Sequence, residues 1–365
     1  MQKIPASIVF GLAFVMACNT DPKATGPDNT DNQDTLAYQT TGTDTIAGDT
    51  KPVSYATIGE IVKLDEELNN YLAADTEIEI LAEGFTWSEG PVWVDNGGFV
   101  LFSDVPENKI YKWKEGEGIS VYLEPSGYSG TGNYSSEPGS NGLMLDAEGK
   151  LLLCQHGNRQ VARMASSTDY PNPDFQTIAD NYEGKRLNSP NDLAIHSDGD
   201  IYFTDPPYGL PGRENSTEAE LDFYGVFRVD PEGDISLLTD QLTRPNGIAF
   251  SPDYSLCYVN VSDGLNPVTM AYPVEANGSF GEGHVFFDAK PLANSGQGLP
   301  DGLCVHPSGT LFSTGPGGIL IINPAGKHLG TIRTTQATAN CTFDSDYAHL
   351  YITADRYLLR VGLIN

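Results

Sequence analysis

The chain has 365 residues, of which 49 are Asp or Glu and 20 are Lys or Arg, so its formal net charge at pH 7 is -29. A chain this acidic repels a phosphate backbone, which excludes nucleic acid as the expected partner and favours cations and neutral polar molecules. Its length is sufficient to bury a full hydrophobic core in one large domain.

The first segment has the features of an export signal. A single basic residue, Lys3, precedes an apolar run from Ile4 to Ala17, which is too short to span a membrane. The run ends in Val15-Met16-Ala17-Cys18, which resembles the cleavage box of a bacterial lipoprotein. We expect residues 1–17 to be a signal peptide and Cys18 to carry lipid; the alternative is an ordinary signal peptide with an incidental cysteine. We expect the exported protein to be anchored to a membrane by this lipid and to face the periplasm or the cell exterior.

Residues 18–55 are predicted to form a flexible tether. Between Asn19 and about Val53 the chain is rich in Thr, Asp, Asn and Gly and has almost no large apolar residue, so it cannot bury enough surface to order itself. The folded domain is expected over residues 56–365. At its start, residues 57–72 have the spacing of an amphipathic helix, and residues 77–85 are expected to form the first strand.

After this strand, one phrase recurs six times. Each copy has an acid or amide, usually followed by Gly, and then two apolar runs separated by a polar turn. The copies span residues 88–104, 140–156, 189–205, 244–260, 299–315 and 338–354. A period of about 40 to 55 residues is typical of a four-stranded propeller blade. The sequence therefore predicts an all-β, six-bladed β-propeller with an axial metal site, whose last blade is completed by the N-terminal strand around residues 77–81 so that no long edge stays free.

The acid or amide that leads each copy is predicted to face the central axis. These six leading residues are Glu89, Asn141, Asn191, Asn246, Asp301 and Asn340. In each expected hairpin, a residue 14 or 15 positions later returns to the same end of the channel. The resulting pairs are Glu89 with Asp104, Asn141 with His156 and Asn191 with Asp205. One end of the channel is thereby expected to collect the polar groups.

Four of the leading residues form a candidate metal site, namely Glu89, Asn191, Asn246 and Asp301. Two carboxylates and two amide carbonyls give an all-oxygen set with a charge of about -2, which suits a hard divalent cation. We expect one Ca²⁺, with Mg²⁺, Mn²⁺ or Zn²⁺ as alternatives, although the sequence lacks the Cys-x-x-Cys or His cluster typical of zinc. For each residue alone, the alternative role is a tight turn, because Asn or Asp commonly precedes Gly there.

Three further features concern the substrate. His156 is a candidate catalytic base, because its side chain exchanges protons near neutral pH, and a structural hydrogen bond is its alternative role. Arg159 is a candidate ligand for a substrate oxygen, or else the partner of an acid on the rim. Two polar, Gly-rich insertions, 125–139 and 207–222, are expected to arch over the channel mouth, with ordinary surface loops as the alternative.

The cysteines beyond Cys18 fall inside or beside repeat strands, at Cys154, Cys257, Cys304 and Cys341. Their even number permits disulfides in an exported chain. Because no paired short spacing occurs, we expect each to be a small buried thiol.

Several of these segments resemble the gluconolactonase and senescence marker protein (regucalcin) family. The resemblance is carried by SEGPVWV, HGNRQVAR, GKRLNSPNDLAIHSDGDIYFTDPPYGL, RPNGIAFSPD and the run that begins LPDGLCVHPSGTLFSTG. It covers about residues 57–363 and implies a six-bladed propeller that binds one divalent metal in its channel, as members of the family do. The best known of them hydrolyse sugar lactones.

The resemblance also implies roles for individual residues. Glu89, Asn246 and Asp301 match the metal ligands of the family, and Asn191 matches a residue close to the metal that faces the substrate. Asp301 also matches the residue usually given the acid/base role. Asn141 and Tyr208 are placed near the substrate, and Asp205 and Arg159 complete the expected substrate-binding set. Where many relatives have Phe-Gly-Gly, this chain has Phe343-Asp344-Ser345, which leaves the geometry of the sixth hairpin open.

The expected activity is metal-dependent hydrolysis of a sugar lactone by a monomer that touches the membrane only through its N-terminal lipid. The metal would polarise the carbonyl, and Asp301, or His156 through water, would take a proton from the attacking water. A lyase or epimerase acting on an oxidised sugar and a noncatalytic sugar-binding lipoprotein are the alternatives. The absence of a Gly-x-Ser-x-Gly motif from the sequence disfavours a serine esterase.

Overall fold

Six antiparallel sheets of four or five strands dominate the computed structural model, which describes residues 54–364. The predicted signal peptide, Cys18 and all but the last two residues of the predicted tether lie outside the described residues. Within residues 54–364, no helix is both long and apolar enough to cross a bilayer.

Each sheet is one blade of a propeller. In chain order, the strands of blades 1 to 3 are Ser88–Val94, Phe99–Asp104, Lys109–Lys114 and Gly118–Leu123; Ser140–Leu145, Leu151–Gln155, Gln160–Met164 and Phe175–Ala179; and Leu193–Ile195, Ile201–Asp205, Gly225–Val229 and Ile235–Thr239. Those of blades 4 to 6 are Pro245–Phe250, Leu256–Val261, Val268–Pro273 and His284–Asp288; Leu303–Val305, Leu311–Gly315, Gly318–Ile322 and His328–Arg333; and Thr338–Phe343, His349–Ala354, Tyr357–Gly362 and Ile78–Glu83. Two short outer strands, Glu60–Lys63 and Ala56–Thr57, extend blades 5 and 6.

The remaining regular structure is short. A two-stranded hairpin is formed by Asn181–Tyr182 and Lys185–Arg186. The 3-10 turns are Glu66–Asn70, Asp95–Gly97, Arg213–Asn215 and Lys290–Leu292. The predicted all-β class is therefore confirmed.

The first strand in each blade, here called its inner strand, packs against the inner strand of the next blade, and the inner strand of blade 6 packs against that of blade 1. Apolar clusters fill the spaces between blades, so the middle strands are covered on both faces. The strand Leu151–Gln155, for example, is buried at every position. This packing explains why the strands in the sequence are short, continuous apolar runs rather than alternating ones.

The N-terminal strand closes the ring, as predicted. Ile78–Glu83 pairs with Tyr357–Gly362, with Ile80 opposite Leu359, although nearly the whole domain separates them in sequence. Ile78 is only 2% exposed and packs in the cluster between blades 5 and 6. Blade 6 is therefore complete only when both ends of the domain are in place.

The predicted helix over residues 57–72 is wrong. Glu60–Lys63 is instead an edge strand paired with His328–Arg333, and Ile61 lies opposite Ile332. The following turn, Glu66–Asn70, is a single 3-10 helix capped by Asp65, whose side chain accepts the backbone N–H of Glu67. The β-branched Ile61-Val62 pair gains the hydrogen bonds of a sheet edge, and this tertiary pairing overrides the helical spacing.

The closing strand should contribute strongly to stability. Changing Ile78 to Ala removes three buried carbon atoms at the junction between blades, and we expect it to lower the free energy of unfolding by about 2 to 5 kcal/mol. Urea titration followed by circular dichroism measures this. Ile119→Ala is the matched control, because Ile119 lies on the outermost strand of blade 1 and is 43% exposed. Equal small losses in both variants would contradict a closing role for the strand.

Candidate active site

A cavity of about 510 Å³ lies at the end of the inner strands where the leading residues converge. Five of the six predicted leading residues line this axial cavity: Glu89, Asn141, Asn191, Asn246 and Asp301. They come from blades 1 to 5, and all except the partly exposed Asp301 are buried. The structure thus brings together the four predicted metal ligands.

The sixth leading residue, Asn340, does not join them. It lines a second cavity, of about 440 Å³, together with residues further along the inner strands. The backbone explains the difference: Gly302 N–H donates to the carbonyl of Ala339 at 2.7 Å, just as Gly142 N–H donates to Asn191. Ala339 therefore occupies the leading position in blade 6, and Asn340 lies one residue further on.

Hydrogen bonds from one inner strand to the next hold the leading residues in place. The N–H of Gly142 donates to the carbonyl of Asn191 at 2.7 Å, and the N–H of Gly247 donates to the carbonyl of Asp301 at 3.1 Å. A Cβ atom on Gly247 would lie 2.2 Å from the Asp301 oxygen. Glycine after the leading residue is thus required by the close approach of two strands, which accounts for the recurrent Asn-Gly and Asp-Gly pairs.

Burial and nearby negative charges raise the pKa of both acidic leading residues. Glu89 is 2% exposed, and burial is the largest cause of its raised pKa. Burial also raises the pKa of Asp301, and the charge on Glu89 adds to that effect. Neither carboxylate forms a salt bridge within residues 54–364. Two close carboxylates without a paired cation favour the binding of a positive ligand.

Unsatisfied acceptor atoms face the same cavity. Asn141 Oδ1 and the Tyr208 hydroxyl are buried without a hydrogen-bond partner in the described part of the chain. Asn246 uses its amide nitrogen to donate to Ser262 Oγ at 3.0 Å, which leaves its amide oxygen to offer to a ligand. Buried polar atoms in folded proteins are normally paired, so these groups are positioned for a bound molecule or ion.

This donor set fits a hard divalent cation. It consists of the Glu89 and Asp301 carboxylates with the amide oxygens of Asn191 and Asn246, and hard cations prefer oxygen ligands. Over residues 54–364, no group of three or more His, Cys, Asp or Glu side chains could hold a metal. A metal in the axial cavity would therefore depend on the asparagine oxygens as well as the two carboxylates.

The returning-strand acids do not share the cavity with the leading residues, contrary to the expected hairpin pairing. The register places Glu89 opposite Ser103, and Asp104 opposite Ser88. The carboxylate of Asp104 accepts the backbone N–H groups of Thr86 and Trp87 at 3.0 and 3.1 Å. These bonds fix the chain just before Glu89, so Asp104 positions the inner strand.

Asp205 and Arg159 likewise hold the backbone that leads into the inner strand of blade 3. Asp205 Oδ2 accepts the backbone N–H of Asn188 at 2.7 Å, three residues before Asn191, and burial raises the pKa of Asp205 to about 7. Arg159 Nε donates to the carbonyl of Leu187 at 2.7 Å. Neither side chain lines the axial cavity. Both position the inner strand through these backbone hydrogen bonds.

His156 is also outside the cavity lining. Its side chain is fully buried beneath the two insertions, and neither ring nitrogen has a hydrogen-bond partner among the described residues. A Cβ atom on Gly209 would lie 2.4 Å from His156 Cβ, so the second insertion passes directly over it. Burial lowers the pKa of the ring to about 4, which keeps it neutral at physiological pH.

Several lining residues escaped the sequence analysis because none of them is a leading residue of the repeat. They are Trp87, Glu137, Arg213, Arg244, Ser262 and Thr338. Glu137 and Arg213 belong to the two insertions that were expected to cover the channel mouth, and they form an ion pair there. Arg244 directly precedes the first strand of blade 4 and Ser262 directly follows the second, and this position is the one local signal that could have indicated them.

The four cysteines in the described region are unpaired. Cys154, Cys257 and Cys341 are buried in strands, and Cys304 is partly exposed. The Sγ atoms of Cys304 and Cys341 lie 3.4 Å apart on neighbouring inner strands.

Comparison with known proteins supports this description. Residues 87–356 match the family model of the SMP-30/Gluconolactonase/LRE-like region. A gluconolactonase from Zymomonas mobilis is 39% identical over 332 residues, which is 88% of this chain and 92% of the relative. The two chains are therefore similar along almost their whole length.

Solved structures agree on the fold. A gluconolactonase from Xanthomonas campestris has a TM-score of 0.73 and 30% identity, and the match covers 86% of this chain and 99% of that one. A protein from Agrobacterium tumefaciens, described as the calcium-binding protein regucalcin, has a TM-score of 0.60 at 18% identity, covering 78% of this chain and 92% of its own. The second match shows the six-bladed fold alone.

The buried His156 should make stability depend on pH. Because its folded pKa is lowered to about 4, the neutral ring contributes stability that is fully present above about pH 6.5 and is lost as the pH falls toward 4, by roughly 3 kcal/mol. His156→Gln cannot be protonated, so the difference in unfolding free energy between wild type and variant should shrink on acidification. Urea unfolding at several pH values measures this.

His284→Gln is the control for that experiment, because His284 is exposed on the outer strand of blade 4. It should keep the pH dependence of the wild type. An unchanged pH dependence in His156→Gln as well would show that His156 is not held neutral by burial.

Proposed function

The chain belongs to the SMP-30/gluconolactonase/LRE-like family, and we propose that it hydrolyses a sugar lactone in the axial cavity with the help of one divalent cation. The observation that carries the proposal is the convergence of Glu89 and Asp301, without salt-bridge partners in the described region, beside unsatisfied acceptors on a cavity of about 510 Å³. The gluconolactonase that is 39% identical supports lactone hydrolysis as the class of reaction.

Glu89, Asn191, Asn246 and Asp301 would hold the cation. When bound, a divalent cation polarises a carbonyl and stabilises the negative charge that develops on its oxygen. Ca²⁺ is our choice, because carboxylate and amide oxygens in a mixed set match its preferences. The calcium-binding relative of the same fold is consistent with that choice.

Asp301 is the proposed base. Partial burial and the neighbouring negative charges, Glu89 first among them, raise the pKa of its carboxyl group and strengthen its tendency to accept a proton. The backbone N–H of Asp301 donates to Thr314 Oγ1 at 2.7 Å, which fixes its position. Asp301 would take a proton from the attacking water as the new carbon–oxygen bond forms. It would then return the proton to the ring oxygen as the ester bond breaks, giving an open-chain hydroxy acid.

The remaining polar groups would orient the sugar. The unpaired Asn141 Oδ1 and the Tyr208 hydroxyl can bind substrate hydroxyl groups, and Asn191, on the same cavity lining, would contact the substrate as well as the cation. His156 is neutral and outside the lining, so its proposed part is to support the covering loops rather than to move the proton.

Removing one acidic ligand tests the cation. Glu89→Gln should abolish both tight metal retention and lactone turnover, because it leaves one carboxylate in the set. Mass spectrometry after desalting measures the metal content. Proton release measures the rate of lactone ring opening. Glu107→Gln, at an exposed position outside the cavity lining, should retain both. Full lactonase activity in Glu89→Gln, or in protein treated with a chelator, would refute the role of the metal.

A second variant separates the base from the ligand. Asp301→Asn keeps an oxygen ligand but cannot accept the proton, so we expect kcat to fall by about 10² to 10⁴-fold while a metal ion is still retained. Steady-state kinetics across a range of pH, together with metal analysis of the same sample, distinguish the two roles. A variant that retains metal and the wild-type kcat would rule out Asp301 as the base.

A further inference from the structure

An ion pair between the two insertions forms part of the axial cavity. Arg213 Nη2 contacts Glu137 Oε1, and both residues line the cavity together with Glu89 and Asp301. Glu137 comes from the insertion between blades 1 and 2, whereas Arg213 begins the 3-10 turn Arg213–Asn215 in blade 3. The pair therefore joins two segments that are distant in sequence directly beside the proposed reaction site.

The positive charges of the cavity are already neutralised. Within residues 54–364 its lining includes two guanidinium groups, Arg213 and Arg244. Arg213 pairs with Glu137, and Arg244 Nη2 lies 2.8 Å from Glu214 Oε1. Each guanidinium has a carboxylate partner, so neither is left as a free cation for an anionic ligand.

The charge on Glu137 also acts on the acidic leading residues. It contributes to the raised pKa of both Glu89 and Asp301, although burial is the largest cause in each case. Burial raises the pKa of Glu137 itself, while Arg213 opposes that effect. Glu137 thus acts electrostatically on the site together with Asp192, and Arg213 favours its ionised form.

Neighbouring contacts hold the pair in place. Tyr134, in the same insertion as Glu137, donates its hydroxyl to Glu218 Oε2 at 3.0 Å and stacks on Tyr128 with ring centroids 5.1 Å apart. Arg159 Nη1 donates to the carbonyl of Glu218 at 3.0 Å. The two insertions are therefore tied to each other and to blade 2, which preorganises the Glu137 and Arg213 side chains before a ligand arrives.

We propose that the Glu137–Arg213 pair makes this cavity selective for an uncharged, polyhydroxylated lactone and against a lactone that carries a phosphate or sulfonate. A carboxylate and a guanidinium side by side offer an acceptor and donors that match adjacent hydroxyl groups. An anionic substituent would instead have to displace Glu137 from Arg213 and leave a partly buried carboxylate without its partner, which is costly. This inference rests on the proposed lactone hydrolysis, because it assigns the substrate class of the same cavity.

Neutralising Glu137 tests the selectivity. Glu137→Gln keeps the size of the side chain but frees the charge of Arg213. The ratio of kcat/KM for the 6-phosphate of glucono-1,5-lactone to that for the unsubstituted lactone should rise at least tenfold, mainly through a lower KM for the phosphate. Glu79→Gln is the matched control: Glu79 pairs with Arg360 at 2.7 Å on the outer side of blade 6, so the variant has the same change in net charge and should keep the wild-type ratio.

A double variant and a ligand that does not react complete the test. In Glu137→Gln/Arg213→Gln the gain for the phosphate should disappear, because the freed cation is gone. NMR titration measures the binding of 1,5-anhydroglucitol and of its 6-phosphate, neither of which can be hydrolysed. Wild type should prefer the neutral ligand, and Glu137→Gln should bind the phosphate more tightly than wild type does. An unchanged ratio in Glu137→Gln, or a gain that persists in the double variant, would overturn the inference. If wild type binds the neutral ring but hydrolyses no lactone, the proposed function fails while the selectivity is still measured.

Discussion

The close approach of the inner strands at the axis is the constraint on which the rest of the structure depends. Where blades 2 and 3, 4 and 5, and 5 and 6 meet, a glycine N–H donates directly to a carbonyl of the next inner strand. Side chains at these glycines would collide with the neighbouring strand, as the 2.2 Å separation from the Asp301 oxygen at Gly247 shows. The residue just before each glycine is consequently fixed at the cavity, whatever its charge.

This arrangement places like charges together at an energetic cost. Glu89 and Asp301 are held by the backbone where burial and repulsion disfavour ionisation, and no salt bridge in the described region relieves them. The close approach of the inner strands also requires glycine where a polar side chain of the next blade comes near the backbone. Gly142 leaves room for the side chain of Asp192, and Gly302 leaves room for that of Asn340. A small residue in one blade thus accommodates a larger polar one in the next, on the side facing the second cavity.

The sequence was sufficient to predict the six blades, the closing strand and the five cavity-lining residues Glu89, Asn141, Asn191, Asn246 and Asp301, because all of these follow from the repeat. It was not sufficient where the register changes by one residue. Asn340 aligns with the other leading residues in sequence, but Ala339 makes the equivalent hydrogen bond. The Glu137–Arg213 pair could not be predicted, since the two insertions share no pattern and meet only in the folded chain.

The incorrectly predicted helix illustrates the same limit. Residues 60–63 have apolar spacing that suits a helix, yet an exposed edge of blade 5 offers them hydrogen bonds. Local preference decides such a segment only when no partner is available. The expectation that Asp104 and Asp205 share the cavity with the leading residues was wrong for a related reason. Their periodicity indicated the correct end of each blade, but only the hydrogen bonds show that they hold the preceding loop.

The pairing of Ile80 with Leu359 has a consequence for biosynthesis. Among the strands of this domain, Ile78–Glu83 is synthesised early, and Tyr357–Gly362, the strand that receives it, is synthesised last. Until then the apolar segment has unpaired backbone groups in the nascent polypeptide. Chaperones can bind it there, or it can pair incorrectly with another copy of the chain. The ring around the axis can close only after synthesis of the domain is nearly finished, so a shorter nascent fragment would lack a closed axial cavity.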